Sequence, residues 1–111
     1  MIKTISCTLP TVPARLQLTG PQWQIIQRIL QQYLFGYSVL AFSSRVDGPC
    51  KTFSDLDLAI INKQPMPLSL MAEVAEAFSE SDLPFKVDLI DWATTSETFR
   101  QRILAHSLML Q

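Results

Sequence analysis

The chain reads as a layered α+β (mixed α/β) fold, on three observations. Trp23, Ile26, Leu30 and Tyr33 recur at helical spacing. Short apolar runs over residues 37–42, 55–61 and 85–92 have the length and composition of buried strands. These patterns follow one another as helix, strand, strand, helix, strand, helix, an order that packs as layers of helices on a sheet.

Residues 1–19 hold Pro10 and Pro13 and are expected to be irregular, with Leu16 and Leu18 as a short edge segment. Thr19-Gly20-Pro21 opens the first helix, since proline suits the first helical turn. Gly36 ends it ahead of a buried strand, Tyr37–Phe42. A polar turn, Ser43-Ser44-Arg45, and a loop holding Gly48, Pro49 and Lys51 lead to the second strand, Asp55–Ile61. Beyond Pro65 and Pro67, a helix over about Leu68–Phe78 is expected to bury Leu68, Met71, Val74, Ala75 and Phe78. Pro84 breaks the chain before the third strand, Phe85–Trp92. That strand places Asp88 on one face and Val87, Leu89 and Asp91 on the other, with Asp91 structural and near the next helix start. Thr94-x-x-Glu97 fits a capping box, opening a last helix that turns Phe99, Ile103 and Leu110 inward. His106 shares that face and is expected to be packed or interfacial. Trp23 and Trp92 read as core or interface, and Met66, Met71 and Met109 as gap-fillers.

Length and composition narrow the classes. At 111 residues the chain is expected to form one domain over 1–111. Hydrophobic residues make up 48% and charged residues 17%, more apolar surface than a lone monomer needs, which points to a partner chain or a homo-oligomer. A formal net charge of −1 argues against broad nucleic-acid binding. Cys7 and Cys50 form no paired motif, so reduced thiols are expected. No apolar stretch precedes Pro10 as a signal peptide would require, and no run nears the ~20 residues of a membrane span. A cytoplasmic protein is expected.

The chemistry concentrates in Asp55-Leu56-Asp57-Leu58. A strand's period of two puts Asp55 and Asp57 on one face, with Cα atoms roughly 6.6 Å apart. Like charges that close raise each other's pKa and oppose folding unless a cation joins them. A hard divalent ion such as Mg²⁺, completed by phosphate oxygens, removes the conflict. Surface acids on a solvent-facing edge strand are the plainer alternative, and a Lys86 salt bridge is the plainer one for Asp88. The small polar turn at Ser43-Ser44-Arg45 lets backbone amides, hydroxyls and a guanidinium approach phosphate oxygens. Lys51 is left without a role.

The pattern Ser44-x10-Asp55-x-Asp57, followed by Lys86-Val87-Asp88-Leu89-Ile90-Asp91, resembles the nucleotidyltransferase superfamily of the polymerase-β type. It looks most like the minimal nucleotidyltransferases (MNT), over nearly the whole chain. One departure is that the family motif begins Gly-Ser where this chain has Ser43-Ser44. The resemblance implies the nucleotidyltransferase fold, a small mixed sheet with helices packed on one side. It implies an enzyme in which Asp55, Asp57 and Asp88 are catalytic and hold two Mg²⁺ ions, with Mn²⁺ as a substitute, and in which Ser43, Ser44 and Arg45 bind the triphosphate. It also implies transfer of a nucleoside monophosphate, AMP from ATP, to a tyrosine of a helical HEPN-domain toxin, with this chain as the antitoxin. The alternative is a catalytically weak MNT subunit that neutralises a HEPN partner by contact. Modification of a small molecule is weaker, because no acceptor pocket is legible.

Overall fold

The structure is a computed structural model and describes residues 12–13, 15–43, 45–46 and 54–111. Helix α1, Gly20–Tyr33, starts at Thr19, whose side chain accepts from the Gln22 amide while the Gln22 side chain accepts from the Thr19 amide. Two orphan donors of the first turn are thus satisfied reciprocally. Trp23, Ile26, Ile29 and Leu30 are its buried stripe. Gly36, at φ 90°, takes a left-handed conformation that a side chain would oppose, and it turns the chain into strand β1, Ser38–Ala41. Strand β2, Leu56–Ile61, pairs antiparallel with β1, setting Leu40 beside Ala59 and Ala41 beside Leu58.

Helix α2, Leu68–Ser79, carries the chain over to strand β3, Val87–Asp91, which lies parallel to β2. Its buried residues are Val74 and Phe78, whereas Ala75 is exposed and Leu68 is 87% exposed. On a helical wheel of 100° per residue, Ala75 and Leu68 stand roughly 100° and 120° from Val74, off the stripe that meets the sheet. The expected burial of those two residues is corrected on that ground.

The end of the chain differs most from expectation. Trp92–Thr94 is a 3₁₀ turn, and Thr94 and Thr95 donate their hydroxyls to the Asp91 carbonyl. Thr94 is therefore not the cap; Ser96 is, accepting from the Phe99 amide ahead of helix α3, Glu97–Ala105. Within α3 only Ile103 is buried, while Phe99 is 37% exposed. His106 is the exposed C-cap and does not pack. Leu110 is buried, but beyond the helix, next to a fourth strand β4, Leu108–Met109, that pairs with β1. Met109 is exposed there and fills no gap.

The sheet order is β3-β2-β1-β4, mixed in direction. One face carries Val39, Ala41, Leu56, Leu58 and Ile60 against α1 and α2 in the main core. The opposite face carries Leu40 and Ala59 against Ile103, with Phe42, Ile61 and Trp92 around them. Helices α1 and α2 thus share one side as expected, and the short α3 covers part of the other. The acids lie on that second face, where α3 leaves it open.

Candidate active site

Register builds the site. In a parallel pair, residues level with each other point the same way, and Asp57 is level with Asp88. Adjacent strands are about 4.8 Å apart, so the two carboxyl groups stand side by side on the α3 face. Leu56, Leu58 and Ile60, which alternate with Asp57, are fully buried on the other face and hold the strand in that phase. Continued by one position, the register sets Asp55, exposed just before β2, beside Lys86, whose carbonyl accepts from the Leu56 amide at 2.9 Å. The Lys86 Nζ in turn lies 3.3 Å from Asp88 Oδ1. The plainer account of Asp88, a salt bridge with Lys86, is thus present together with the acid pairing.

The pair is electrostatically strained. Burial pushes the Asp57 carboxyl above its usual range, and the nearby charges of Asp88 and Asp55 push it further. A side-chain hydrogen bond with Asp88 acts in the same sense, since a carboxyl can share its proton with a carboxylate, and Lys86 partly opposes the rise. Among the described residues no group of three or more His, Cys, Asp or Glu side chains is gathered to hold a metal ion as it stands. Asp57 and Asp88 nevertheless fit a hard cation by chemistry and by face: two oxygen donors on one open surface, in conflict until a positive charge joins them. Asp55 is the outlying member, near enough to be felt by Asp57.

The turn after β1 reaches the same corner, because the Phe42 amide donates to the Asp57 carbonyl. Ser43 is half-buried, and its hydroxyl accepts from the Arg45 amide at 3.3 Å, which leaves the hydroxyl proton to donate outward. Ser44 lies outside the described residues, as do Lys51, Cys7 and Cys50. Arg45 is corrected. It is 3% exposed, its Nε donates to the Ser54 carbonyl and its Nη1 to the Gln17 carbonyl, both at 2.8 Å. Its guanidinium also stacks 3.8 Å from the Phe85 ring centroid. A cation so enclosed ties three segments together instead of facing phosphate.

Asp91 holds segments together. Asp91 accepts from the Met66 amide at 2.8 Å and the Ala93 amide at 3.1 Å, which fastens the loop before α2 to the end of β3. Sequence reasoning missed the aromatic wall beside the acids. Phe42, level with Asp57 across the sheet, meets Phe99 edge-on with ring centroids 6.2 Å apart. The register of β1 with β2 would have shown the first half of it, and nothing local the second. A groove of about 730 Å³ runs between α2 and β3, lined by Met71, Phe78, Phe85 and Leu89. It touches the acid site only at the rim, through Lys86 and Asp88.

Comparisons with known proteins place the chain in a family. The family model described as "Polymerase beta, Nucleotidyltransferase" matches residues 24–111. The chain is 49% identical over 98 residues to the "Probable protein adenylyltransferase MntA" of Haemophilus influenzae, covering 88% of this chain and 86% of that protein. Among solved structures, a mutant MntA–HpeT toxin–antitoxin complex matches with TM-score 0.65 at 23% identity, over 86% of this chain and 73% of that one. A toxin–antitoxin structure with AMP-PNP matches with TM-score 0.66 at 22% identity, over 79% and 71%. These two likenesses establish the fold. The chain belongs to the polymerase-β nucleotidyltransferase family, and with an MntA-like sequence over nearly its whole length it is a nucleotidyltransferase of the minimal type.

Proposed function

We propose that residues 1–111 act as one minimal nucleotidyltransferase domain that moves AMP from ATP onto a tyrosine hydroxyl of a HEPN-type toxin, and so serve as the antitoxin of the pair. The observation that carries this is the level pairing of Asp57 with Asp88 on an open sheet face beside the turn after β1. The 49% identity to a protein named as an adenylyltransferase supports the adenylyl group. The toxin–antitoxin complexes of the same fold support the partner.

In this reading Asp55, Asp57 and Asp88 hold two Mg²⁺ ions, with Mn²⁺ as a substitute. Bound there, the ions supply Lewis acidity at the α-phosphate and neutralise charge on the leaving pyrophosphate. Asp88 accepts the proton of the attacking hydroxyl. The acceptor oxygen bonds to the α-phosphorus, the bond to the bridging oxygen breaks, and pyrophosphate leaves. Ser43 and Ser44 grip the terminal phosphates through hydroxyl and amide donors. Arg45 keeps the turn in place from behind and is left out of the phosphate grip.

A second reading, neutralisation by contact with weak catalysis, is favoured by Asp55 standing outside the acid pair and by serine at position 43. One experiment separates them. The chain is mixed with a HEPN-type toxin, ATP and Mg²⁺, and AMP on the partner's tyrosine and released pyrophosphate are measured. Transfer that disappears in Asp57→Asn supports catalysis. Full neutralisation of the toxin by Asp57→Asn, with no AMP transferred by the wild type, establishes contact instead.

A further inference from the structure

The acid corner holds one feature that the transfer reaction leaves without a role. Lys86 stands on the acid face of β3, two residues from Asp88, bridging Asp88 at 3.3 Å and level with Asp55. We propose that Lys86 is the resident counterion of the acid pair, which yields its place to the divalent cation and then pairs with the phosphates of the nucleotide. This rests on the metal-dependent reading above and assigns Lys86 as a positioning residue of that site.

The geometry favours an exchange over a fixed bridge. The Lys86 backbone is anchored, its carbonyl accepting from the Leu56 amide at 2.9 Å. Its side chain is 72% exposed, so the long stem is free to swing while its origin stays fixed. An ammonium is a compact point charge on a flexible chain, suited to changing partners. Exposed ion pairs of this kind contribute little, so opening the bridge costs little. Lys86 bridges Asp88 and stands level with Asp55, and its charge partly offsets the repulsion felt at Asp57. Once a divalent ion neutralises the acids, their hold on the ammonium weakens. A triphosphate then brings several negative charges to the same corner, and the ammonium has a better partner. Arg45 does not compete for this role, because its Nε and Nη1 donate to carbonyls behind the turn.

The two stages make predictions of opposite sign. Mn²⁺ binding is measured by electron paramagnetic resonance on the full chain, first alone and then with AMP-PNP, for wild type, Lys86→Met and Lys86→Arg. Without nucleotide, Lys86→Met binds Mn²⁺ about threefold tighter or more, since a competing cation has gone. With AMP-PNP, the same variant binds the Mn²⁺–nucleotide complex about threefold weaker or more, since a phosphate partner has gone. Lys86→Arg stays near wild type in both. A residue that merely supported the fold would move both affinities the same way, and that result, or no change in either, overturns the proposal. Lys86→Gln repeats the measurement if the Met variant is poorly folded. A wild type that is folded yet binds no Mn²⁺ under either condition removes the metal site itself, and the exchange with it; wild-type binding that Lys86→Met leaves untouched removes only the exchange.

Discussion

Asp57 sits half-buried beside a second carboxyl group, and both burial and its neighbours favour its protonated form. The folded protein therefore holds this proton to higher pH than the unfolded chain, whose carboxyl titrates near 3.8. In the metal-free protein the group favours folding most at low pH, and that contribution is lost as pH rises through the raised folded value. Asp57→Asn is accordingly expected to raise the metal-free melting temperature at neutral pH. The gain should be no more than about 1 kcal/mol, because the site is open to solvent. It should shrink as the pH is lowered through the raised value, where wild-type Asp57 is already neutral. The same variant should lose the stabilisation that Mg²⁺ with ATP confers by mass action. Differential scanning fluorimetry from pH 4 to 8, with and without Mg²⁺–ATP, reads all three effects. An unchanged ligand response in Asp57→Asn would take the metal role away from this residue.

At the scale of elements, strand β3 and the turn after it depend on Asp91. Its two oxygens accept from two backbone amides belonging to different segments, so its loss leaves two part-buried donors unpaired. Asp91→Ala should cost about 2–3 kcal/mol, and Asp91→Asn less because one acceptor oxygen remains. Urea titration gives both values; an alanine variant within about 0.5 kcal/mol of wild type would mean the loop before α2 is held by other contacts. Reading Asp91 as structural needed only strand parity, which separates it from Asp88. The elements that misled are equally instructive. Thr94-x-x-Glu97 satisfies the capping-box pattern, yet Thr94 spends its hydroxyl on the Asp91 carbonyl and Ser96 caps the helix. Strand β4 was illegible because Leu108-Met109-Leu110 carries no alternation and follows a helix without a strong stop signal. It exists only because β1 offers it an edge.

For the molecule as a whole, Arg45 decides how distant segments meet. Its guanidinium joins Gln17, from the stretch before α1, to Ser54, two residues before β2, and lies over Phe85 ahead of β3. Arg45→Lys keeps the charge but loses the planar fork and the stacking, and should destabilise the nucleotide-free protein by about 2–3 kcal/mol. If Arg45 served phosphate instead, the same change would lower nucleotide affinity and leave the nucleotide-free melting curve alone. The sequence by itself determined the three main strands, the buried stripe of α1, and that Asp57 faces away from Leu56 and Leu58, because local periodicity carries that information. It also carried the spacing by which the family is recognised. Tertiary structure alone decided that Asp57 stands level with Asp88, since the register between strand positions 31 residues apart depends on how α2 returns the chain to the sheet. It likewise decided that Arg45 turns inward and that α3 covers the second face. Where a long side chain points, and what shields a sheet face, depend on which segments arrive beside it, and spacing along the chain does not encode that.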